Sequence, residues 1–282
     1  MKLSLFSTLR GYRKEYLPKD IFSGIIIAAV SIPISMGYAQ ISGIPAVYGL
    51  YGSVLPILLF ALFSTSRQFI FGVDAAPAAI VGGALSTLGI AAESEAAMDY
   101  VPAIALFAGL WLFIFFLLHA DKIVDFISTP VMGGFISGIA VTIILMQIPK
   151  LMGSPAGSGE LLELAEHIFA AAKNISWLSL FMGLGALVLI RTFKKLAPKF
   201  PMAIVIMALG VLSTVVFHVD EKGVVLLQSV ERGLPSLMIP DFGNVDLTQA
   251  AGRGLMVAVV IMAETLLAEN TFAFRNDYKL ND

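Results

Sequence analysis

Eight apolar stretches, each about 18 to 26 residues long, occupy most of this sequence and are separated by short polar segments. Stretches of this length with few charges are typical of transmembrane helices. Hydrophobic residues make up 58% of the chain and charged residues only 13%, which excludes a soluble globular domain. We therefore predict an all-α, polytopic membrane protein. Its spans are predicted at about 21–40, 46–64, 70–90, 101–119, 129–149, 176–193, 201–218 and 248–273.

The basic residues indicate which ends of the spans face the cytoplasm. With the N-terminal segment 1–20 placed inside, 13 of the 18 lysines and arginines fall on the inner side, as the positive-inside rule requires. The first seven spans then occupy 21–218, the segment 219–247 is an extracytoplasmic loop, and 248–282 holds the eighth span. The segment 160–173 has apolar residues at helical spacing. We predict that it lies on the outer membrane interface with its glutamates in water, the alternative being a flap over a gate.

Composition and motifs disfavour several functional classes. The chain has no cysteine, so disulfides, thiol catalysis and cysteine-ligated zinc are excluded. The net charge of −2 and the lack of a basic patch argue against a nucleic-acid partner. The three histidines have no second ligand at metal spacing, and neither a serine–histidine–acid arrangement nor a phosphate-cradling loop is present. We expect neither an enzyme nor a metal site.

Two carboxylates lie within apolar stretches. Glu264 is set between Leu255 and Ala268, in the eighth span, and Asp74 stands in the third span between Gly72 and Pro77. A charge at bilayer depth costs about 2.5 to 3.5 kcal/mol on insertion scales, so it is usually hidden, paired or functional. Two such residues favour a protein that moves a solute across the membrane.

The first and third spans contain helix-breaking residues. Pro33 and Gly37 indicate either a broken helix that faces a cavity or a simple packing kink. In the third span, residues 67–72 are predicted to be extended, and Asp74 is predicted to begin a short helix as its N-cap. Such a half-helix directs free amides and a positive dipole end towards the membrane interior, which favours an anion. The alternative is that Asp74 only caps the helix and no ligand binds.

Several groups of residues, in order and at matching spacing, resemble the SulP/SLC26 family of anion transporters. They are the first-span stretches 33–39, 43–45 and 48–51, the third-span entry 66–68 and 72–76, the segments 233–235 and 240–242, the acidic motif 263–267 and the loop 276–282. The resemblance implies a fold of two inverted seven-helix repeats, usually followed by a cytoplasmic STAS domain. This chain would contain the first repeat and the span that follows it.

The resemblance also implies a site. A core of spans 1–4 and 8–11 would carry the anion against a gate of spans 5–7 and 12–14, with the substrate at the half-helices of spans 3 and 10. The residues assigned to substrate binding are Ile34, Tyr38, Val73, Asp74, Ala75 and Ala76. Expected partners are a small anion, the lipid bilayer, the second repeat, the STAS domain and a second copy in a homodimer. The expected location is the bacterial inner membrane, with a cytoplasmic N-terminus.

Departures from the family pattern bear on coupling. Ile34 stands where many relatives have glutamine, and Val73 replaces a common proline. Sodium-coupled relatives have a hydroxyl one turn after the span-8 acid, where this chain has Ala268. We therefore expect a co-transported proton, carried by Glu264, rather than sodium, and no other cofactor. The expected function is secondary active transport of sulfate, bicarbonate or a dicarboxylate by alternating access. The alternatives are an anion channel of the same fold and a fragment that is inactive without its second repeat.

Overall fold

The computed structural model describes residues 12–64, 71–119, 129–155, 157, 161–197, 202–226, 233 and 240–275. Helices account for most of these residues, and no strand is assigned within these ranges. The helices are α1 (Leu17–Ile41), α2 (Ala46–Phe63), α3 (Ala75–Thr87), α4 (Glu95–Leu117), α5 (Thr129–Leu151), α6 (Leu161–Lys173), α7 (Trp177–Leu196), α8 (Met202–Phe217) and α9 (Leu247–Arg275). The predicted all-α, polytopic fold is confirmed, with α6 as the extra helix between spans 5 and 6.

Helix lengths agree with a membrane location. Within the described part of the chain, five helices are long and apolar enough to cross a bilayer, namely α1, α2, α4, α7 and α9. The 13 residues of α3 extend about 20 Å, which is short of a hydrocarbon core about 30 Å thick. The half-helix expected in span 3 is therefore confirmed. Of the extended segment expected at 67–72, residues 67–70 lie outside the described residues, and 71–74 form no regular element.

The first span is not interrupted. Pro33 lies inside α1, which continues as one helix from Leu17 to Ile41. One proline removes one amide donor, and a long membrane helix tolerates this loss when neighbouring groups compensate. Of the two alternatives for this span, the structure supports the continuous helix.

Side-chain caps fix where α4 and α9 begin. Ser94 Oγ accepts a hydrogen bond from the Ala97 amide at 3.2 Å and caps α4. Asp246 Oδ1 accepts from the amides of Thr248 and Gln249 at 3.0 and 3.1 Å, at the start of α9. These bonds satisfy first-turn amides that have no partner within the helix. The caps therefore define the first residues of α4 and α9.

The helices form two groups. α1, α2, α3, α4 and α9 pack against one another and are called the inner bundle here; α5 to α8 form the second group. Glycines allow close approach in the inner bundle, because a Cβ at Gly49 would collide with the Ser35 carbonyl and one at Gly82 with the Ile41 carbonyl. Likewise, a Cβ at Gly254 would lie 2.7 Å from Phe107 Cβ. Small residues at such positions let helices associate in lipid.

The amphipathic helix α6 is attached to the protein by one face. Leu164 is 1% exposed and packs with Ile41 and Met146. The prediction that Glu163 lies in water is wrong, because its Oε2 accepts a hydrogen bond from Ser86 Oγ at 2.7 Å. Glu166 is exposed, as predicted, and Glu160 lies outside the described residues. Hydropathy places every glutamate of such a helix in water. One of them can nevertheless bond to the protein when it lies beside the apolar face that packs.

Candidate functional site

The site begins at the first turn of α3. Asp74 has extended backbone angles (φ −125°, ψ 147°), and its Oδ1 accepts a hydrogen bond from the Ala75 amide at 2.6 Å. Pro77 has no amide hydrogen, and the Ala78 amide donates to the Asp74 carbonyl at 3.3 Å. Among the described residues, the Ala76 amide is thus the first-turn donor left without a partner. Asp74 caps the helix as predicted and leaves one amide for another group.

Glu264 of α9 lies beside Asp74. The two carboxyl groups are close enough to interact directly. Glu264 is partly buried, and its Oε2 is a fully buried atom with no hydrogen-bond partner among the described residues. Buried polar atoms nearly always have a partner, and exceptions often mark functional sites. This oxygen is therefore available to a proton, an ion or another part of the protein.

Tyr38 of α1 completes the cluster. Its hydroxyl is close enough to interact electrostatically with Asp74, and the side chain is partly buried. Three separate helices therefore bring together Tyr38, Asp74 and Glu264, which stand 36 and 190 residues apart in the sequence. These were the polar side chains that the sequence assigned to substrate binding and coupling. The structure places them together, and their roles stay predictions.

The remaining predicted residues form the surroundings of this cluster. Val73 is partly buried and faces α2, since a Cβ at Gly52 would lie 3.2 Å from Val73 Cγ1. Ala75 and Ala76 are buried, at 8% and 2% exposed, so they contribute backbone rather than side-chain surface. Ile34 lies one turn before Tyr38 on α1 and is 43% exposed. The structure gives it no polar role, in agreement with its apolar side chain.

The sequence missed the residues that hold Glu264 in place. Trp111 Nε1 of α4 donates a hydrogen bond to the Ala251 carbonyl of α9 at 3.1 Å. Gly254 lets α9 lie directly on α4, and the Asp246 amide donates to the Tyr100 hydroxyl at 2.9 Å. Arg253 Nη2 donates to Thr87 Oγ1 at 3.2 Å, which ties α9 to the last residue of α3. In the sequence, Gly254 within an apolar helix was the one sign of the contact between α4 and α9.

Comparison with known proteins gives one consistent result. The family model described as "Sulfate permease family" matches residues 17–282. The chain is 24% identical over 272 residues to a probable sulfate transporter of Mycobacterium tuberculosis, covering 96% of this chain and 48% of that protein. It is 30% identical over 289 residues to the chloroplastic sulfate transporter 4.1 of Arabidopsis thaliana, covering 98% of this chain and 41% of that protein.

A solved structure shows the same fold. The transmembrane domain of the cyanobacterial bicarbonate transporter BicA matches 96% of this chain and 69% of its own, with a TM-score of 0.80 and 20% identity. At this identity the likeness shows the fold alone. The chain spans about half the length of the curated relatives that it matches.

Proposed function

Because the chain belongs to the sulfate permease family, we propose that it forms part of a proton-coupled secondary active transporter for a small anion, and not an enzyme. The observation that carries the proposal is the placement of Asp74 and Glu264 side by side at the first turn of α3, next to Tyr38. The anion would bind at this turn. Sulfate, bicarbonate and dicarboxylates are the candidate substrates, since named relatives carry sulfate or bicarbonate.

The first turn of α3 suits an anion for a general reason. The N-terminus of a helix carries a partial positive charge and unpaired amides, so it attracts negative groups. The Asp74 carboxylate already occupies the Ala75 amide. An arriving anion would meet the Ala76 amide and the same helix end, with the Tyr38 hydroxyl as a nearby hydrogen-bond donor. Asp74 and the substrate would therefore compete for one region of positive potential.

The paired carboxyls supply a reason for coupling. Two ionised carboxylates side by side repel each other, and a bound anion adds a third negative charge. One proton on the Asp74–Glu264 pair removes one of these charges, which favours simultaneous binding of proton and anion. Sodium could do the same, but it requires several oxygen ligands. Ala268, one turn beyond Glu264, has none in its side chain.

Alternating access and topology complete the proposal. The inner bundle would move relative to the second group and expose the site to each side of the membrane in turn. The distribution of basic residues supports a cytoplasmic N-terminus, and the second repeat would supply the rest of the site. We expect the full-length protein to be located in a bacterial inner membrane.

The decisive substitution is Glu264→Gln in the full-length protein, reconstituted in liposomes. The amide keeps the size of the side chain but cannot carry the proton, so uptake driven by an inward proton gradient should be lost. Anion exchange without a gradient should persist, which shows that the protein is folded and binds substrate. Radiolabelled sulfate, bicarbonate and a dicarboxylate are each tested at two pH values.

Glu166→Gln, an exposed carboxylate on α6, is the matched control and should behave like the unsubstituted protein. Full gradient-driven uptake by Glu264→Gln would contradict proton coupling. An anion current that does not saturate with substrate concentration would contradict the carrier and support a channel.

A further inference from the structure

The two groups of helices contact each other at the ends of α1, α3 and α5, and α8 also contacts α1. Lys150 Nζ donates to Gln40 Oε1 at 3.2 Å, and Ser86 Oγ donates to Glu163 Oε2 at 2.7 Å. Gln40, Ser86 and Lys150 are each the next-to-last residue of their helix, in α1, α3 and α5 respectively. Each bond joins the inner bundle to the second group. We call this pair of hydrogen bonds the end contacts.

An apolar cluster lies next to the end contacts. Ile41, Met146 and Leu164 are only 2%, 1% and 1% exposed and come from α1, α5 and α6. Tyr38 and Ala79 pack against this cluster. Because Tyr38 is also within electrostatic range of Asp74, the cluster is adjacent to the candidate site. The site is therefore covered by α5 and α6 at this end.

The other half of α5 is arranged differently. A Cβ added at Gly133, Gly134 or Gly138 would meet no described atom within 4 Å. Ser137 and Thr142 bond to carbonyls of their own helix, at Gly133 and Gly138. Within the described residues, contact of α5 with the inner bundle thus begins near Leu145. The described contacts of α5 with the inner bundle therefore lie at the α6 end, and α8 contacts α1 separately.

We propose that the end contacts form a latch that keeps the site closed at the α6 end and that must break for the site to open there. The inference rests on the proposed alternating access. The bonds suit a reversible closure, because water replaces their partners when the groups separate, so each contributes only a small net stability. The dry cluster beneath them excludes water while the latch is closed.

The test uses cysteine reporters, since this chain has no cysteine of its own. Ala79→Cys reports on access from the α6 end, and Ile34→Cys, beyond Tyr38, reports on access from the other end. Each reporter is combined with Ser86→Ala and Lys150→Met, which remove both donors. The rate of labelling by a membrane-impermeant maleimide is measured from each side of the membrane in full-length protein without substrate.

We expect labelling of Ala79→Cys from the α6 side to rise roughly two- to tenfold for each bond removed, while labelling of Ile34→Cys from the opposite side falls. The control pair is Ser213→Ala with Lys173→Met. Within the described part of the chain, Ser213 Oγ bonds to the Leu209 carbonyl of its own helix, and Lys173 is exposed. A rise at both reporters would mean general loosening and would overturn the latch, as would no change at either.

A second measurement locks the latch closed with a covalent crosslink instead of opening it. Ser86→Cys with Glu163→Cys, joined by a short bifunctional methanethiosulfonate, should abolish anion uptake, and a reducing agent should restore it. Uptake that continues after crosslinking overturns the latch. If the unsubstituted protein takes up none of the anions, the proposed function fails instead, and the labelling result still shows whether the latch exists.

Discussion

The inner bundle and the α7–α8 pair are both apolar, yet the inner bundle buries many side chains and the pair almost none. Within the inner bundle, Ala103 and Ile104 of α4 and Ala250 and Ala258 of α9 are all 0% exposed. α7 buries no residue, and α8 buries only Met202 among those described. Both helices of the pair instead turn large aliphatic and aromatic side chains outwards.

The difference shows that hydropathy places helices in the membrane but does not decide which of them pack. Lipid tails are as apolar as leucine, so burial of apolar surface gives helices little reason to associate. Close packing in the inner bundle depends on glycine and alanine at the crossing points. Only closely packed helices can hold Tyr38, Asp74 and Glu264 in a fixed arrangement, and α7 and α8 contribute no residue to that cluster.

The largest effect is expected from Gly49→Ala. The added Cβ would collide with the Ser35 carbonyl, which is backbone and cannot move aside. We expect the free energy of unfolding to fall by about 3 kcal/mol, measured as a lower thermal midpoint and a lower yield of folded protein. Gly185→Ala in α7 is the control, because a Cβ there meets nothing within 4 Å. If both substitutions lowered the free energy of unfolding equally, close packing would not distinguish the inner bundle from the α7–α8 pair.

A smaller effect with a functional consequence is expected from Gly254→Val. The new side chain would press on Phe107 and Ala108 of α4 and push α9 outwards, at a cost of about 1 to 3 kcal/mol. Because Glu264 is on the same helix, gradient-driven uptake should fall together with thermal stability. Gly252→Val, two residues earlier and facing open space, should leave both quantities nearly unchanged. Normal uptake by Gly254→Val would show that the α4 contact does not position Glu264.

The positions of the helices and the two carboxylates could be recognised from the sequence for physical reasons. Spans of apolar residues, the positive-inside rule and the Asp74 cap depend on local composition, so each can be recognised without knowledge of the fold. Glu264 stands out because a carboxylate in an apolar stretch is costly wherever its neighbours are. These signals were enough to single out Asp74 and Glu264, whereas Tyr38 was assigned only by the family resemblance.

The contacts between helices could not be predicted in the same way. The bond from Ser86 to Glu163 joins residues 77 apart, and nothing in either segment specifies the other. Proline in α1 was compatible with a break or a continuous helix, because the outcome depends on what packs beside it. The role of Gly254 was hidden for a related reason: a glycine shows that a neighbour can approach closely, but not which neighbour does so.

The smallest effect is expected from the two tryptophans, which form a closely matched pair. Trp111 lies 6.3 Å from the ring of Phe115 at 33°, and Trp177 lies 6.4 Å from the ring of Phe181 at 35°. Of these two, Trp111 donates a hydrogen bond to another helix, to the Ala251 carbonyl, and Trp177 has no such bond to any described residue. Phenylalanine keeps the aromatic packing and removes the donor. Trp111→Phe should therefore lower the free energy of unfolding by about 0.6 kcal/mol, a typical value for one such bond in a membrane protein.

Trp177→Phe should have almost no effect, since Trp177 is 63% exposed and an aromatic ring remains at the membrane interface. The two variants are compared by thermal unfolding in the same detergent. If both lower stability equally, the loss comes from the indole ring itself, and the polar bond between α4 and α9 contributes nothing measurable. If only Trp111→Phe does, directional bonds add to small-residue packing in fixing the helix that carries Glu264.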